Sequence, residues 1–126
     1  MSAKALVLDE TRTRFLLFRE DNDMRDFPGG GLDFGEDVKG CIMRELREEA
    51  GLDVVVIAPT PSYFVTAEKL DKHCRVAYVL YETMIRDIDF TPSNECQEAK
   101  FFTKEEAEKL PVYANVTAFL KQFMSG

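Results

Sequence analysis

Apolar residues in this chain either alternate with polar ones or run in short blocks, and each block ends in a polar, glycine- or proline-containing turn. Residues 4–8 and 14–19 read as two strands joined by a polar turn over 9–13. Residues 20–26 make a charged loop. Pro28 and the three glycines after it cannot be the interior of a helix or strand, so 28–31 read as a loop of flexible geometry. Residues 37–50 show helical periodicity and close on Gly51, a common residue just past a helix end.

Residues 54–57 and 63–66 are strand-like, with Pro59 and Pro61 making a bend or sheet edge between them. Residues 73–85 alternate into a long strand that sets Cys74, Val76, Tyr78 and Leu80 on one face. A polar link over 87–94 leads to a short strand over 98–102. Thr103 is placed as an N-cap, and Glu106 completes a capping box with it. Two helices follow over 104–110 and 112–124, separated by Pro111. The sum is an α+β chain, a mixed β-sheet with helices on its faces in an α/β/α arrangement, read as one domain over residues 1–126. Strand order does not follow from the pattern.

At 126 residues the chain is the size of one ordinary domain. Hydrophobic residues at 45% and charged residues at 31% suit a folded globular protein. The net charge of -7 argues against a duplex nucleic-acid binder, which needs a basic face. It leaves room for a polyphosphate only if metal ions or a few local cations offset the carboxylates. Cys41, Cys74 and Cys96 cannot all pair within one chain and form no CxxC motif, so a reducing, cytoplasmic setting is expected. No stretch approaches the roughly 18 apolar residues of a membrane span, and no membrane partner is expected.

The chemistry concentrates between residues 30 and 52. On a helix, Glu45, Glu48 and Glu49 share one arc, because side chains three and four apart are neighbours about 5–6 Å from each other. The Glu45–Glu49 pair borders the apolar stripe of Val38, Ile42 and Leu46, an unfavourable place for like charges without a cation. The plainer reading is a solvated acidic face with Arg44 and Glu48 as an i,i+4 pair. The glycine loop immediately before the helix favours the sharper one, since its backbone can approach a ligand closely and hard cations take carboxylate and carbonyl oxygens.

This segment resembles the Nudix box, G-x5-E-x7-R-E-U-x-E-E-x-G-U with U a bulky aliphatic residue. Gly30, Glu36, Arg44, Glu45, Leu46, Glu48, Glu49, Gly51 and Leu52 fill every defined position. A chance match at one start is on the order of one in 10⁹ on average residue usage. The resemblance implies Mg²⁺, with Mn²⁺ as a substitute, held by Glu45, Glu48 and Glu49 and by the Gly30 carbonyl, with Gly29 beside it. It also implies that Glu36 and Arg44 support the loop and helix, a role that differs little from an ordinary structural ion pair.

The activity implied is hydrolysis of a phosphoanhydride bond in a nucleoside-diphosphate-linked compound. Glu45, Glu95 and Glu98 are the candidate acceptors of the water proton, although the last two also read as plain loop residues. His73 reads as a turn residue. Small MutT-like members of the family act on nucleoside triphosphates, and two further segments resemble theirs. Asn115 stands where they hydrogen-bond the base, and Arg19 where a strand arginine approaches the substrate. Each has a plain alternative, a helix packing residue and a surface cation. Gly31 departs from the lysine often found after the two glycines, which removes one phosphate contact.

Tyr63, Phe64 and Tyr78 are candidates to stack on a base, or simply core. The runner-up substrate is ADP-ribose or a nucleotide sugar, whose enzymes commonly carry a longer N-terminal region. Outside enzymes, the alternatives are a nucleotide-sensing module and a protein-interaction domain with the acidic face as its surface. A sensing module tends to lose box carboxylates, and none is lost here. Monomer and homodimer both fit.

Overall fold

The computed structural model describes residues 1–123, the side chain of Leu70 excepted. Its strands are β1 (Ser2–Leu6), β2 (Arg14–Arg19), β3 (Arg25–Asp26), β4 (Gly29–Gly31), β5 (Val54–Ile57), β6 (Tyr63–Lys69), β7 (Cys74–Ile85) and β8 (Glu98–Thr103). Its helices are α1 (Val38–Ala50), α2 (Lys104–Ala107) and α3 (Ala114–Leu120). β7 is the spine of a mixed sheet. β1 runs parallel to it and β6 antiparallel, and both pair with Tyr78 to Leu80, so they take opposite edges. β5 continues along β7 antiparallel, and β4 pairs with the outer edge of β1. β3, β2 and β8 form a second, antiparallel sheet.

Neighbouring residues of a strand point to opposite faces, so β1 and β2 serve two cores at once. Ala3, Ala5, Val7, Leu16 and Phe18 pack with Cys41, Ile42, Leu46 and Ala50 of α1. Leu6, Phe15 and Leu17 face the other way, toward Val116, Phe119 and Leu120 of α3. Tyr78 and Leu80 of β7 join that second core, as the alternation predicts, while Cys74 at the strand's start is exposed. The α/β/α arrangement expected from the pattern is therefore the one observed.

Three expectations need correction. The glycine segment is not a loop, because Gly29 to Gly31 pair with β1 as a short strand. Gly29 takes φ +124°, and a Cβ there would lie 2.3 Å from the Ala3 carbonyl oxygen. Glycine is needed for the close backbone approach, and the partner being approached is β1. Secondly, the loop over 20–26 contains β3, whose Arg25 and Asp26 pair with Arg19 and Phe18.

Thirdly, both C-terminal helices are shorter than their patterns. After Ala107 the chain tightens into three-residue steps, Lys109 N–H to Glu106 and Leu110 N–H to Ala107, ahead of Pro111. Residues 111–113 stay extended because Pro111 accepts from Arg25 and Tyr113 donates back to it. Helix α3 can start only after them. The expected end of that helix, Met124, lies outside the described residues. The caps follow expectation: Thr103 and Glu106 close both halves of a capping box.

Candidate functional site

Helix α1 is fixed at both ends. The Asp37 side chain accepts from the Gly40 amide, and Gly51, at φ +64°, sends its own amide to the Arg47 carbonyl. Ile42, Leu46 and Ala50 anchor one stripe in the core. This rotation turns Glu45 and Glu49 toward the glycine strand, and Glu48, one hundred degrees round from Glu49 on a 3.6-residue helix, toward solvent.

Glu49 is 4% exposed, and its Oε1 accepts the Gly29 amide at 2.9 Å. Burial lifts its pKa to about 9 in the metal-free protein, although that amide and the Lys4 ammonium both favour the anion. Glu45 lies against Gly30 so closely that a Cβ on the glycine would meet its carboxylate at 2.8 Å. Burial raises the Glu45 pKa too, with Arg44 pulling the other way.

The third carboxylate arrives from the far end of the chain. Ser93 Oγ donates to the Glu49 carbonyl, the Glu95 amide donates to Ser93 Oγ at 3.2 Å, and the Thr91 amide bonds the Ala50 carbonyl at 2.8 Å. These contacts staple the 87–97 segment to the end of α1. Glu45, Glu49 and Glu95 then offer carboxylate oxygens that all lie within 4.8 Å of one another.

Arg44 organises the rim. Its Nε and Nη2 grip Glu36 at 2.8 and 3.0 Å, its Nη1 reaches Glu45 and Glu48 at 3.0 Å each, and Nη2 also donates to the Gly31 carbonyl at 3.3 Å. Those bonds to Arg44, helped by the Asp33 amide, hold the Glu36 pKa at about 2. Cys41 packs beneath, its Sγ 3.5 Å from the Gly30 carbonyl oxygen. Burial raises the thiols of Cys41 and Cys96 to about 11 and about 12, so both stay protonated at neutral pH. All three cysteines are free.

The residues expected from the sequence thus divide. Glu45, Glu49 and Glu95 come together beside Gly29 and Gly30, while Glu48 is exposed and turned to Arg44. Glu98 is drawn away by Arg25, whose guanidinium hydrogen-bonds it and lowers its pKa. Arg19 pairs with Asp23 at 3.2 Å. Asn115 is buried, and its Nδ2 donates to Asp26 at 2.9 Å. Tyr63 packs edge-on against Phe119 and Tyr78 lies in the core, leaving Phe64 as the exposed aromatic of the three. His73 is a left-handed turn residue at φ +49°.

Sequence reading passes over Lys4, Asp26 and Ser93, which hold the site from behind. Lys4, central in a strand between two alanines, is the signal that was available: a lone lysine on the apolar face of an otherwise buried strand is rarely there for solubility.

The family model described as NUDIX domain matches residues 1–123. An RNA pyrophosphohydrolase of Campylobacter jejuni subsp. jejuni serotype O:23/36 (strain 81-176) is 47% identical over 51 residues, 39% of this chain and 33% of that protein. The chain thus spans about a third of the length of the curated relatives it matches. Among solved structures, a MutT protein from Methanosarcina mazei Go1 is similar with a TM-score of 0.78 at 24% identity, covering 96% of this chain and 89% of that one. A C. elegans Ap4A hydrolase in a binary complex gives a TM-score of 0.70 at 25% identity, over 98% and 95% of the two chains.

Proposed function

This chain belongs to the Nudix family, and on that premise we propose that it hydrolyses a phosphoanhydride bond in a nucleoside-diphosphate-linked compound. The proposed substrate is a nucleoside triphosphate, split to the monophosphate and pyrophosphate, with Mg²⁺ as cofactor. The observation that carries this reading is the convergence of Glu45, Glu49 and Glu95 within 4.8 Å beside a glycine strand.

The donor set fits a hard divalent cation. Three carboxylates offer oxygen ligands, the Gly30 carbonyl, 3.5 Å from Cys41 Sγ, is the proposed backbone ligand, and buried Glu49 keeps its proton to about pH 9 unless a positive charge takes the proton's place. Bound there, Mg²⁺ would polarise the phosphoryl group and neutralise the leaving phosphate. Glu45 and Glu49 present fixed oxygens, because one is wedged against Gly30 and the other is tied to the Gly29 amide. Arg44 holds Glu45 in place and keeps Glu48 at the rim, from where Glu48 reaches an incoming ligand only by leaving Arg44. Glu95 is the proposed acceptor of the water proton at a carboxylate oxygen, since it is the exposed member of the trio. Glu98 is the poorer base, its carboxylate held anionic by Arg25.

A net charge of -7 supports a small nucleotide over a long nucleic acid, and no helix among the described residues is long and apolar enough to cross a membrane. The test is release of phosphate or pyrophosphate with Mg²⁺ from nucleoside triphosphates, ADP-ribose, nucleotide sugars, dinucleoside polyphosphates and RNA bearing a 5′-triphosphate. Turnover of one class by the wild type, lost in Glu49→Gln, supports the proposal. Binding without turnover in both proteins points to a sensing module.

A further inference from the structure

Lys4 is 6% exposed, yet it is a charged residue in the centre of a strand. Burying an ammonium is unfavourable unless its protons find acceptors. Its Nζ donates to Asp26 Oδ2 at 3.1 Å, to the Gly29 carbonyl at 3.2 Å and to the Phe27 carbonyl at 3.5 Å. The carbonyls on either side of Pro28 are therefore both tied to one cation, and the Ala5 amide adds a bond of 2.8 Å to the Pro28 carbonyl itself. Three successive carbonyls of the bend are accounted for by β1.

Asp26 is held just as firmly. Its Oδ1 accepts the Phe27 amide at 2.7 Å and Asn115 Nδ2 at 2.9 Å, which links the ammonium to helix α3. Burial works against the Lys4 ammonium, but the Asp26 and Glu49 carboxylates outweigh it and raise its pKa above the ordinary lysine value. On the opposite side of the same glycine, the amide of Gly29 holds Glu49, and the next residue, Gly30, is wedged against Glu45. One peptide segment thus has its carbonyls fixed by Lys4 and its amide spent on a buried carboxylate of the acidic site.

We propose that Lys4 is the positioning residue of the acidic site: by locking the Phe27–Pro28–Gly29 bend, it sets the glycine strand against Glu49 and Glu45 and so fixes the geometry in which those carboxylates bind a divalent cation. The proposal rests on the metal-site reading above. Lys4 Nζ bonds Asp26 and the Phe27 and Gly29 carbonyls, and none of the three clustered carboxylates. It acts through the bend, as groups that orient ligands from behind do, and loss of such partners typically lowers metal affinity about 10–100-fold.

Mn²⁺ affinity is read by electron paramagnetic resonance of the free ion, together with kcat and KM, in wild type, Lys4→Met and Glu49→Gln, all measured well below each protein's melting temperature. Methionine keeps the length and apolar stem of lysine and removes the charge. The expected result is that Lys4→Met, folded by circular dichroism, binds Mn²⁺ at least about tenfold more weakly, with kcat reduced more than KM is raised. A purely structural lysine would lower the melting temperature and leave the Mn²⁺ affinity of the folded protein unchanged, and that result overturns the proposal.

Should Lys4→Met fail to fold, Asp26→Asn carries the same expectation, because it removes the anion that keeps the buried ammonium in place; a folded Asp26→Asn protein with wild-type Mn²⁺ affinity and kcat overturns the proposal equally. The Glu49→Gln arm separates the two levels of inference. If it abolishes Mn²⁺ binding while Lys4→Met leaves binding intact, Lys4 is not the positioning residue and the metal site stands. If Glu49→Gln binds Mn²⁺ as wild type does, the metal-site reading falls and the role given to Lys4 falls with it.

Discussion

Against helix α3, β2 presents Phe15 and the bend after β3 presents Phe27, and these meet Phe119 of the helix and Phe123 beyond it with centroids 4.8 to 5.8 Å apart. Against α1, β2 presents Leu16 and Phe18 to a layer that holds Ile42 and Leu46, but β1 presents only Ala3 and Ala5, and the helix also carries Cys41, Ala50 and a buried glutamate there. One layer gains stability from aromatic area and edge-on geometry. The other is thin along β1, so that a backbone strand and a helix approach closely enough to bring carboxylates together. Stability and chemistry are thus carried by opposite faces of the same strands, and the glycine strand with its preceding bend is where they touch.

Truncation in the aromatic layer should give the largest effect of any single change. Phe119 is fully buried and packs edge-on against Phe15, Phe27 and Tyr63. Phe119→Ala is expected to lower stability by about 3–5 kcal/mol, measured by denaturant unfolding. In the protein that remains folded, Mn²⁺ affinity should change less than in Lys4→Met. An equal loss of affinity would break the comparison, since aromatic packing and not the ammonium would then be holding the bend.

Next in size is Glu49→Gln, from the other layer, where the expected pattern is inverted. Turnover should fall at least about 100-fold as a ligand oxygen loses its charge. The melting temperature should change little in metal-free buffer near neutral pH, because Glu49 is already protonated there and the glutamine oxygen still accepts the Gly29 amide. A variant that lost stability and kept activity would reverse the roles assigned to the two layers.

How much of this contrast can be read along the chain differs between the layers and within the site. Helix α1 and its Gly51 stop are local, and the sequence pattern contains them, with Asp37 the cap of the helix and not its first residue. The glycine segment shows the limit of local reasoning. Propensity says loop, and the backbone does take a φ that glycine permits, but Gly29 to Gly31 are strand because β1 lies alongside.

Long-range contacts decide the rest of the site. Glu95 joins Glu49 through Ser93, a contact 44 residues apart in sequence that no periodicity encodes. The family resemblance named three glutamates on one helix, whereas the fold turns Glu48 to Arg44 and supplies the third carboxylate from the loop before β8. The short helices α2 and α3 have the same cause, residues 111–113 being taken by β3.

A subtler test of the thin layer uses protons. With its pKa raised to about 9 by burial, Glu49 carries a proton at neutral pH in the metal-free protein, and a bound cation must displace it. Calorimetric titration of Mg²⁺ or Mn²⁺ at about pH 6.7, midway between the reference and folded values, in two buffers of different ionisation enthalpy should report release of close to one proton. Glu49→Gln should release none. The sign for stability follows from the same shift: a folded pKa above the unfolded one means that, with EDTA present, this group's contribution falls as pH rises from about 4.5 toward about 9. Excess Mg²⁺ should flatten that decline, and a metal-free protein whose melting temperature rose steadily over the range would contradict it.

The smallest expected effect sharpens the comparison at the rim, where Glu36 and Arg44 are paired and half-buried. The Glu36 pKa is lowered to about 2, chiefly by its hydrogen bonds to Arg44, so its stabilising contribution is complete above about 4.5 and is lost as pH falls through about 2. Glu36→Gln should therefore change the melting temperature little at neutral pH, because a half-buried pair at the rim is still partly screened by solvent. It should remove part of the loss seen on acidification between those values. The same substitution releases one arm of Arg44, which also holds Glu45, so turnover should fall more than stability does. If stability instead fell as far as it does for Phe119→Ala, the rim pair would belong with the aromatic layer as a structural element, and the division between the two faces would have to be redrawn around α1.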